Sequence, residues 1–257
     1  MESNQQTLTD RLAEIALAAG EAVMQVYNDM PEAEFKTDGT PVTAADKAAE
    51  AIILAGLRQH APEIAVVSEE SEESHRLEAP QRFFLVDPLD GTREFLRRDG
   101  KGSFTVNIAL IEAGEPVLGV VYAPALRRLF AGVRNGGATE TADGQKRRIA
   151  VRPMPESGPV AVASRSHRDA QTDAWLAERK ITETVSIGSS LKFCLLACGE
   201  ADVYPRFGPT MEWDTAAGHA VLTAAGGAVT TPENKPFRYG KAEFRNGPFI
   251  AWTKVPG

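Results

Sequence analysis

Leu8, Leu12, Ile15, Ala19, Val23 and Val26 recur at helical spacing and stop before Pro31, which predicts an amphipathic first helix. A second helix is predicted from about Thr43 to His60, carried by Ala45, Ala49, Ile52, Ile53 and Leu57 and stopped by Pro62. The period then shortens. Ile64 to Val67 and Phe83 to Val86 are unbroken apolar runs of strand length, while Phe104, Val106, Ile108 and Leu110 alternate with their neighbours. Ala113-Gly114-Glu115 makes a turn, Val117 to Tyr122 returns, and Leu129 to Val133 is a further strand. Strands joined this closely form a meander, so this sheet is expected to be mainly antiparallel.

After Pro153-Met154-Pro155 strand and helix alternate. Val160 to Ala163 precedes a helix near Asp169 to Arg179, Thr184 to Ile187 one near Ser190 to Cys198, and Ala201 to Tyr204 one from about Thr215 to Ala225, ended by Gly226-Gly227. Such alternation favours a parallel or mixed sheet under helices. The chain therefore reads as α/β (α+β), with an N-terminal half over 1–155, a C-terminal half over 156–257 and a cleft between them.

With 257 residues, 43% of them hydrophobic, the chain can build a substantial core. Its net charge of -7, from 28 basic and 35 acidic residues, opposes long nucleic acid, so a small phosphorylated ligand would need local cations or bound metal. The first residues, Met1-Glu2-Ser3-Asn4-Gln5-Gln6, lack a basic region followed by an apolar core, and no apolar stretch approaches the ~18 residues of a membrane span. A cytoplasmic protein is expected, with peripheral association at the cytoplasmic face of the inner membrane and a choice between monomer and homodimer left open. Cys194 and Cys198 have no histidine at ligand spacing, so they read as buried free thiols rather than a zinc site.

The chemistry concentrates in Asp87-Pro88-Leu89-Asp90-Gly91-Thr92, directly behind the apolar run that ends at Val86. Pro88 fixes its own φ and Gly91 admits a conformation closed to other residues, so Asp90 can be turned back beside Asp87. Two unit charges about 4 Å apart repel by roughly 4 kcal/mol at an effective dielectric constant of about 20, which favours a bound cation or a proton. Oxygen-only ligands suit magnesium, manganese or calcium. Phosphatases with an aspartyl nucleophile separate their acids by one residue; the two residues here, one a proline, argue for metal-activated water instead. Gly91 and Thr92 should open a helix containing Arg93 to Leu96, whose N–H groups would face phosphate oxygens.

Three more acids are candidates. Glu69 lies just past a strand in an acidic loop; Asp46 can close a capping box with Thr43; Asp214, in Trp213-Asp214-Thr215-Ala216-Ala217, can cap a helix. A carboxylate at a helix start can serve both the cap and a reaction.

Thr37-Asp38-Gly39-Thr40-Pro41-Val42-Thr43 through Asp46, then Ser68-Glu69-Glu70, Asp87 to Thr92, and Trp213-Asp214 to Ala217, in this order, resemble the inositol monophosphatase superfamily of lithium-sensitive, magnesium-dependent phosphatases. The match spans nearly the whole chain. Ser164-Arg165-Ser166-His167, Gly188 to Cys194 and Tyr204 to Thr210 look like its 3'(2'),5'-bisphosphate nucleotidase branch. The resemblance implies a layered α-β-α-β-α sandwich, two or three Mg2+ ions per site with Mn2+ as a substitute, and hydrolysis of 3'-phosphoadenosine 5'-phosphate to AMP and phosphate in sulfur assimilation. Carried onto matching positions, Glu69, Asp87, Asp90, Asp214 and the Leu89 carbonyl become metal ligands. The Asp46 carboxylate and Thr92 hydroxyl become the pair that activates water, with Glu69 beside them. Asp90, Gly91, Thr92 and Asp214 would also face the scissile phosphate, and His167, the Ser190 hydroxyl, Lys192 and Arg206 the second phosphate and the sugar. An inositol monophosphatase or sugar bisphosphatase shares this metal core, and a noncatalytic metal or phosphate sensor is the reading from another class.

Overall fold

The computed structural model of the protein describes residues 2–29, 34–35, 41–98, 100–164 and 169–255. Helix α1 (Glu2–Asn28) and helix α2 (Ala44–His60) run where the apolar periodicity put them. A seven-stranded sheet follows in chain order: β1 (Ala65–Ser68), β2 (Arg82–Asp90), β3 (Thr105–Glu112), β4 (Glu115–Ala123), β5 (Arg128–Val133), β6 (Gly137–Ala142) and β7 (Gln145–Ile149). Every neighbouring pair is antiparallel except β1 with β2. A short helix, α3 (Thr92–Arg97), leaves the end of β2.

The second sheet contains β8 (Ala161–Ser164), β9 (Thr184–Ile187), β10 (Val203–Arg206), β11 (Ala228–Thr230) and β12 (Phe249–Trp252), in the order β9-β8-β10-β12-β11. Its first three members are parallel, and β12 runs antiparallel to β10 and β11, so the sheet is mixed. The helices between these strands are α4 (Ala170–Glu178), α5 (Leu191–Ala197) and α6 (Ala216–Ala224).

Period-two alternation sorts the strand side chains into layers. Phe84, Val86, Ile108 and Leu110 face α1 and α2, meeting Leu12, Ala19, Ile53 and Leu57. Phe83, Leu85 and Ala109 face the other way, onto a core shared with Phe193 of α5 and Val221 of α6, and with Tyr204 and Phe249 of the second sheet. Trp175 and Leu176 of α4 cover the far face of that sheet, against Val203 and Ile250. The result is five layers, α1/α2, sheet, α5/α6, sheet and α4, as the resemblance implies. Among the described residues no helix is long and apolar enough to cross a membrane.

Two glycines let α6 lie close to the first sheet. Gly119 of β4 and Gly132 of β5 are cross-strand partners. A Cβ on Gly119 would fall 2.5 Å from the Ala217 carbonyl oxygen, and one on Gly132 2.6 Å from the Val221 Cα. This contact sets the depth of α6, and with it the position of Asp214 just before the helix.

Candidate active site

Asp87 and Asp90 are three residues apart, so in a regular strand they would point to opposite faces. The β2–β3 register slips between them: Asp87 lies opposite Asn107 and Asp90 opposite Thr105. The additional residue on β2 is a bulge, and since Asn107 and Thr105 share a face, their partners do too. Gly91, at φ 94°, then turns the chain into α3. That conformation is open to glycine and strained for any other side chain.

Glu69 and Asp214 close on the same point. The Glu69 N–H donates to the Val86 carbonyl at 3.1 Å, holding the acidic loop against the end of β2. His75 steadies the same loop, its Nε2 2.8 Å from the Ser68 carbonyl and its ring stacked 4.6 Å from Trp213, the residue before Asp214. A cavity of about 250 Å³ opens here, with Glu69, Asp90, Gly91, Thr92, Lys192, Arg206 and Asp214 among its walls. Asp87 lies beneath, 1% exposed. Burial, followed by the charges of Glu69, Asp90 and Asp214, pushes the Asp87 carboxyl well above its ordinary range. Asp214 is pushed the same way by burial and by Asp90 and Glu69. Asp90 is raised to about 7, burial outweighing the Lys192 charge and the Ser190 N–H that favour its ionised form. Carboxylates buried and crowded in this way favour a bound cation or a proton.

Asp46 closes the cap its position allowed and also reaches toward Thr92. Its Oδ2 accepts from the Thr43 N–H at 2.7 Å and the Thr43 hydroxyl at 2.8 Å, completing the capping box of α2. Its Oδ1 lies 3.4 Å from the Thr92 hydroxyl, which is also 3.2 Å from the Leu89 carbonyl. Burial raises the Asp46 carboxyl against the pull of the Thr43 bonds. Asp214 departs from the cap expected of it: α6 starts at Ala216, and the Asp214 Oδ2 instead accepts from the Met211 N–H at 2.8 Å.

On the α5 side of the cavity, Lys192 is 4% exposed; its Nζ donates to the Ser189 carbonyl at 2.5 Å and lies 5.2 Å from the Tyr204 ring centre. Burial lowers its pKa to about 8 against the opposing pull of Asp90. The Arg206 guanidinium donates to the Gly208 and Pro209 carbonyls at 3.2 and 3.1 Å. Ser190 corrects the sequence reading. Its hydroxyl is buried against Asn107 and Thr105 of β3, and it is the Ser190 N–H that reaches the site, donating to Asp90 Oδ2 at 2.5 Å. Ser189 is the serine on the cavity wall, at φ 54°. Sequence reasoning missed it because adjacent serines differ only in backbone conformation; it also missed Glu94, whose place four residues after Asp90 on a helix start was the available signal. His167 lies outside the described residues, as do Thr37 to Thr40.

Comparison with known proteins decides the kinship. The sequence pattern of the inositol monophosphatase family matches residues 4–253. The chain belongs to the inositol monophosphatase family. A curated relative, the 3'(2'),5'-bisphosphate nucleotidase CysQ of Shigella flexneri, is 48% identical over 235 residues, covering 90% of this chain and 94% of that protein. The crystal structure of CysQ from Bacteroides thetaiotaomicron superposes with a TM-score of 0.82 at 37% identity, covering 96% of this chain and 98% of that one. An inositol monophosphatase from Anabaena gives 0.76 at 30% identity, covering 98% and 92%.

The donor set can be weighed against a family metal site from its own chemistry. Glu69, Asp87, Asp90, Asp214 and the Leu89 carbonyl offer only oxygen, which fits a hard divalent cation. Among the described residues no three acidic, histidine or cysteine side chains already form a metal-holding set. Asp87 Oδ1 accepts from the Leu89 N–H, Asp90 Oδ2 from Ser190 and Asp214 Oδ2 from Met211, so one oxygen of each is fixed by backbone, and Asp87 also shares a hydrogen bond with the Glu69 side chain. The residues fit. Cys194 and Cys198 are free thiols, Cys194 buried as expected and Cys198 only partly so.

Proposed function

We propose that this chain is a magnesium-dependent 3'(2'),5'-bisphosphate nucleotidase, hydrolysing 3'-phosphoadenosine 5'-phosphate to AMP and phosphate. The observation that carries the reading is one cavity whose lining holds the carboxylates Glu69, Asp90 and Asp214 together with Lys192 and Arg206. Glu69, Asp87, Asp90, Asp214 and the Leu89 carbonyl would hold Mg2+. Bound there, the ions supply charge neutralisation of the phosphate oxygens and acidification of an attacking water.

The remaining work falls to the protein. Thr92 offers its hydroxyl proton toward Asp46 Oδ1, which aims the free lone pairs of that oxygen at a water, and the Asp46 carboxylate is the acceptor of the proton released. Because Asp46 Oδ2 is held by Thr43, only Oδ1 is available, and its direction is fixed. The Gly91 and Thr92 N–H groups at the start of α3 face the phosphate. Lys192 and Arg206 pair with the second phosphate, which distinguishes a bisphosphate from an inositol monophosphate. The separation between halves near residue 155 belongs to the same proposal: the first supplies four of the acids, the second Asp214 and the nucleotide contacts.

Phosphate release from adenosine 3',5'-bisphosphate, its sulfated 5' analogue, inositol 1-phosphate and fructose 1,6-bisphosphate, with Mg2+ or chelator, tests this. The adenosine bisphosphate should give the highest kcat/KM, and chelator should abolish turnover. A preference for inositol 1-phosphate, or release undiminished by chelator, would overturn the proposal.

A further inference from the structure

Beside the cavity, three buried side chains close a hydrogen-bonded ring between the two sheets' elements. Ser190 Oγ donates to Asn107 Oδ1 at 2.5 Å, Asn107 Nδ2 donates to Thr105 Oγ1 at 3.3 Å, and the Thr105 and Ser190 hydroxyls are 2.9 Å apart. With the Ser190 proton committed to Asn107, the Thr105 proton must go to Ser190, so each hydroxyl donates once and accepts at least once. Thr105, Asn107 and Ser190 are 0%, 1% and 2% exposed, and none of them lines the cavity.

The ring lies where the two ends of the site meet. Thr105 and Asn107 are the ladder partners of Asp90 and Asp87, on the strand beside the acids. Ser190 precedes α5, which carries Lys192. A single peptide unit completes the connection, its Ser190 N–H on Asp90 and its Ser189 carbonyl on the Lys192 ammonium. Apolar side chains of similar volume could fill this space without burying polar groups. A polar ring in which every member has a partner instead admits one register between β3 and α5, since any slide breaks its bonds inside the core.

We infer that Thr105, Asn107 and Ser190 are positioning residues that fix the span from the acidic centre to Lys192 and thereby select substrates whose two phosphates have that spacing. The inference rests on the bisphosphate reading above. Thr105→Val keeps the volume and removes both of that residue's bonds; Thr105→Ser keeps the hydroxyl. Turnover of adenosine 3',5'-bisphosphate and of adenosine 3'-monophosphate is to be compared, and binding of AMP and of inorganic phosphate measured by calorimetry with Mg2+. Thr105→Val should raise KM for the bisphosphate and weaken AMP about tenfold, within the usual range for coupled sites, while monophosphate turnover and phosphate binding change by less than about threefold. Thr105→Ser should restore the AMP affinity.

If AMP and inorganic phosphate weaken by the same factor, or both substrates lose equally, the ring is structural only and the inference is wrong. Should Thr105→Val not fold, Asn107→Ala, which leaves the Thr105–Ser190 bond in place, is read by the same two titrations with the same criterion. Failure of the unaltered protein to cleave the bisphosphate would sink the functional proposal, while the calorimetric comparison would still judge the ring.

Discussion

Replacing Gly119 by alanine tests whether the depth of α6 controls the acidic centre. The added Cβ would lie 2.5 Å from the Ala217 carbonyl oxygen, 2.7 Å from the Ala220 Cβ and 2.9 Å from the Ala217 Cα. Carbon atoms rest about 3.5–4.0 Å apart, so the helix must retreat by roughly 1 Å or the sheet must bend. Backbone atoms make two of the three contacts, so a rotamer change cannot relieve them. Overpacking of this kind costs about 1–3 kcal/mol, and the backbone contacts place Gly119→Ala at about 2–3. For a chain of this size that lowers Tm by roughly 4–12 °C. The chemical effect should be larger in proportion. Ala217 is three residues from Asp214, and a misplacement of about 1 Å can cost on the order of 100-fold in rate. Thermal unfolding, Mn2+ binding and kcat/KM on the bisphosphate are the measurements, with Gly247→Ala as control because nothing lies within 4 Å of its Cβ position. Stability within about 0.5 kcal/mol of the unaltered protein, the range of a surface change, with unchanged Mn2+ affinity, would refute the close-approach argument.

Two further outcomes follow from buried groups away from the site. His219 is 7% exposed, its Nδ1 3.0 Å from the Tyr239 hydroxyl, and burial with the nearby charges of Lys241 and Arg238 lowers its pKa to about 3. The unfolded chain takes up this proton below pH about 6.5 and the folded one does not, so the stabilisation is complete above that pH and is lost as pH falls toward 3, by up to about 1.4 kcal/mol per unit. The raised carboxyls of the site titrate in the opposite sense, so the test is a difference: His219→Gln should remove this slope between pH 6 and pH 4.5 in urea unfolding, and parallel curves would contradict it. Asp202 is fully buried and holds Arg152 through two bonds of 2.8 and 2.7 Å, with the Val160 N–H at 2.8 Å. Arg152→Met should cost about 3 kcal/mol by leaving the carboxylate without its cation, and Arg152→Met with Asp202→Leu should recover much of it; a double variant no more stable than the single would count against the pairing.

The strands that escaped the hydrophobic pattern show why pattern is insufficient. β6 and β7 have almost no apolar signal, because the inward-facing Glu140 is satisfied by charge: Arg128 at 2.6 Å and Arg147 at 2.5 Å. An acid flanked by polar residues reads as loop unless its partners, 12 residues earlier and seven later, are known to be adjacent. Ser190 taught the same lesson within the site. Its residue type and place in Gly188-Ser189-Ser190 were visible, yet whether the hydroxyl met substrate or core depended on Ser189 adopting a positive φ.

Local order in the chain was enough for the helices α1 and α2, the meander and the alternation of strand and helix after residue 160, because periodicity, proline and glycine act over a few residues. Distances between residues far apart in the chain were decided only by packing. Glycines 119 and 132 set how near Asp214 comes, the bulge puts Asp87 and Asp90 on one face, and the buried ring seats α5 beside β3. The glycine contact and the ring join segments tens of residues apart, and the bulge is set by how β2 pairs with β3, 15 to 20 residues on; such contacts have no signature in the composition of either segment alone.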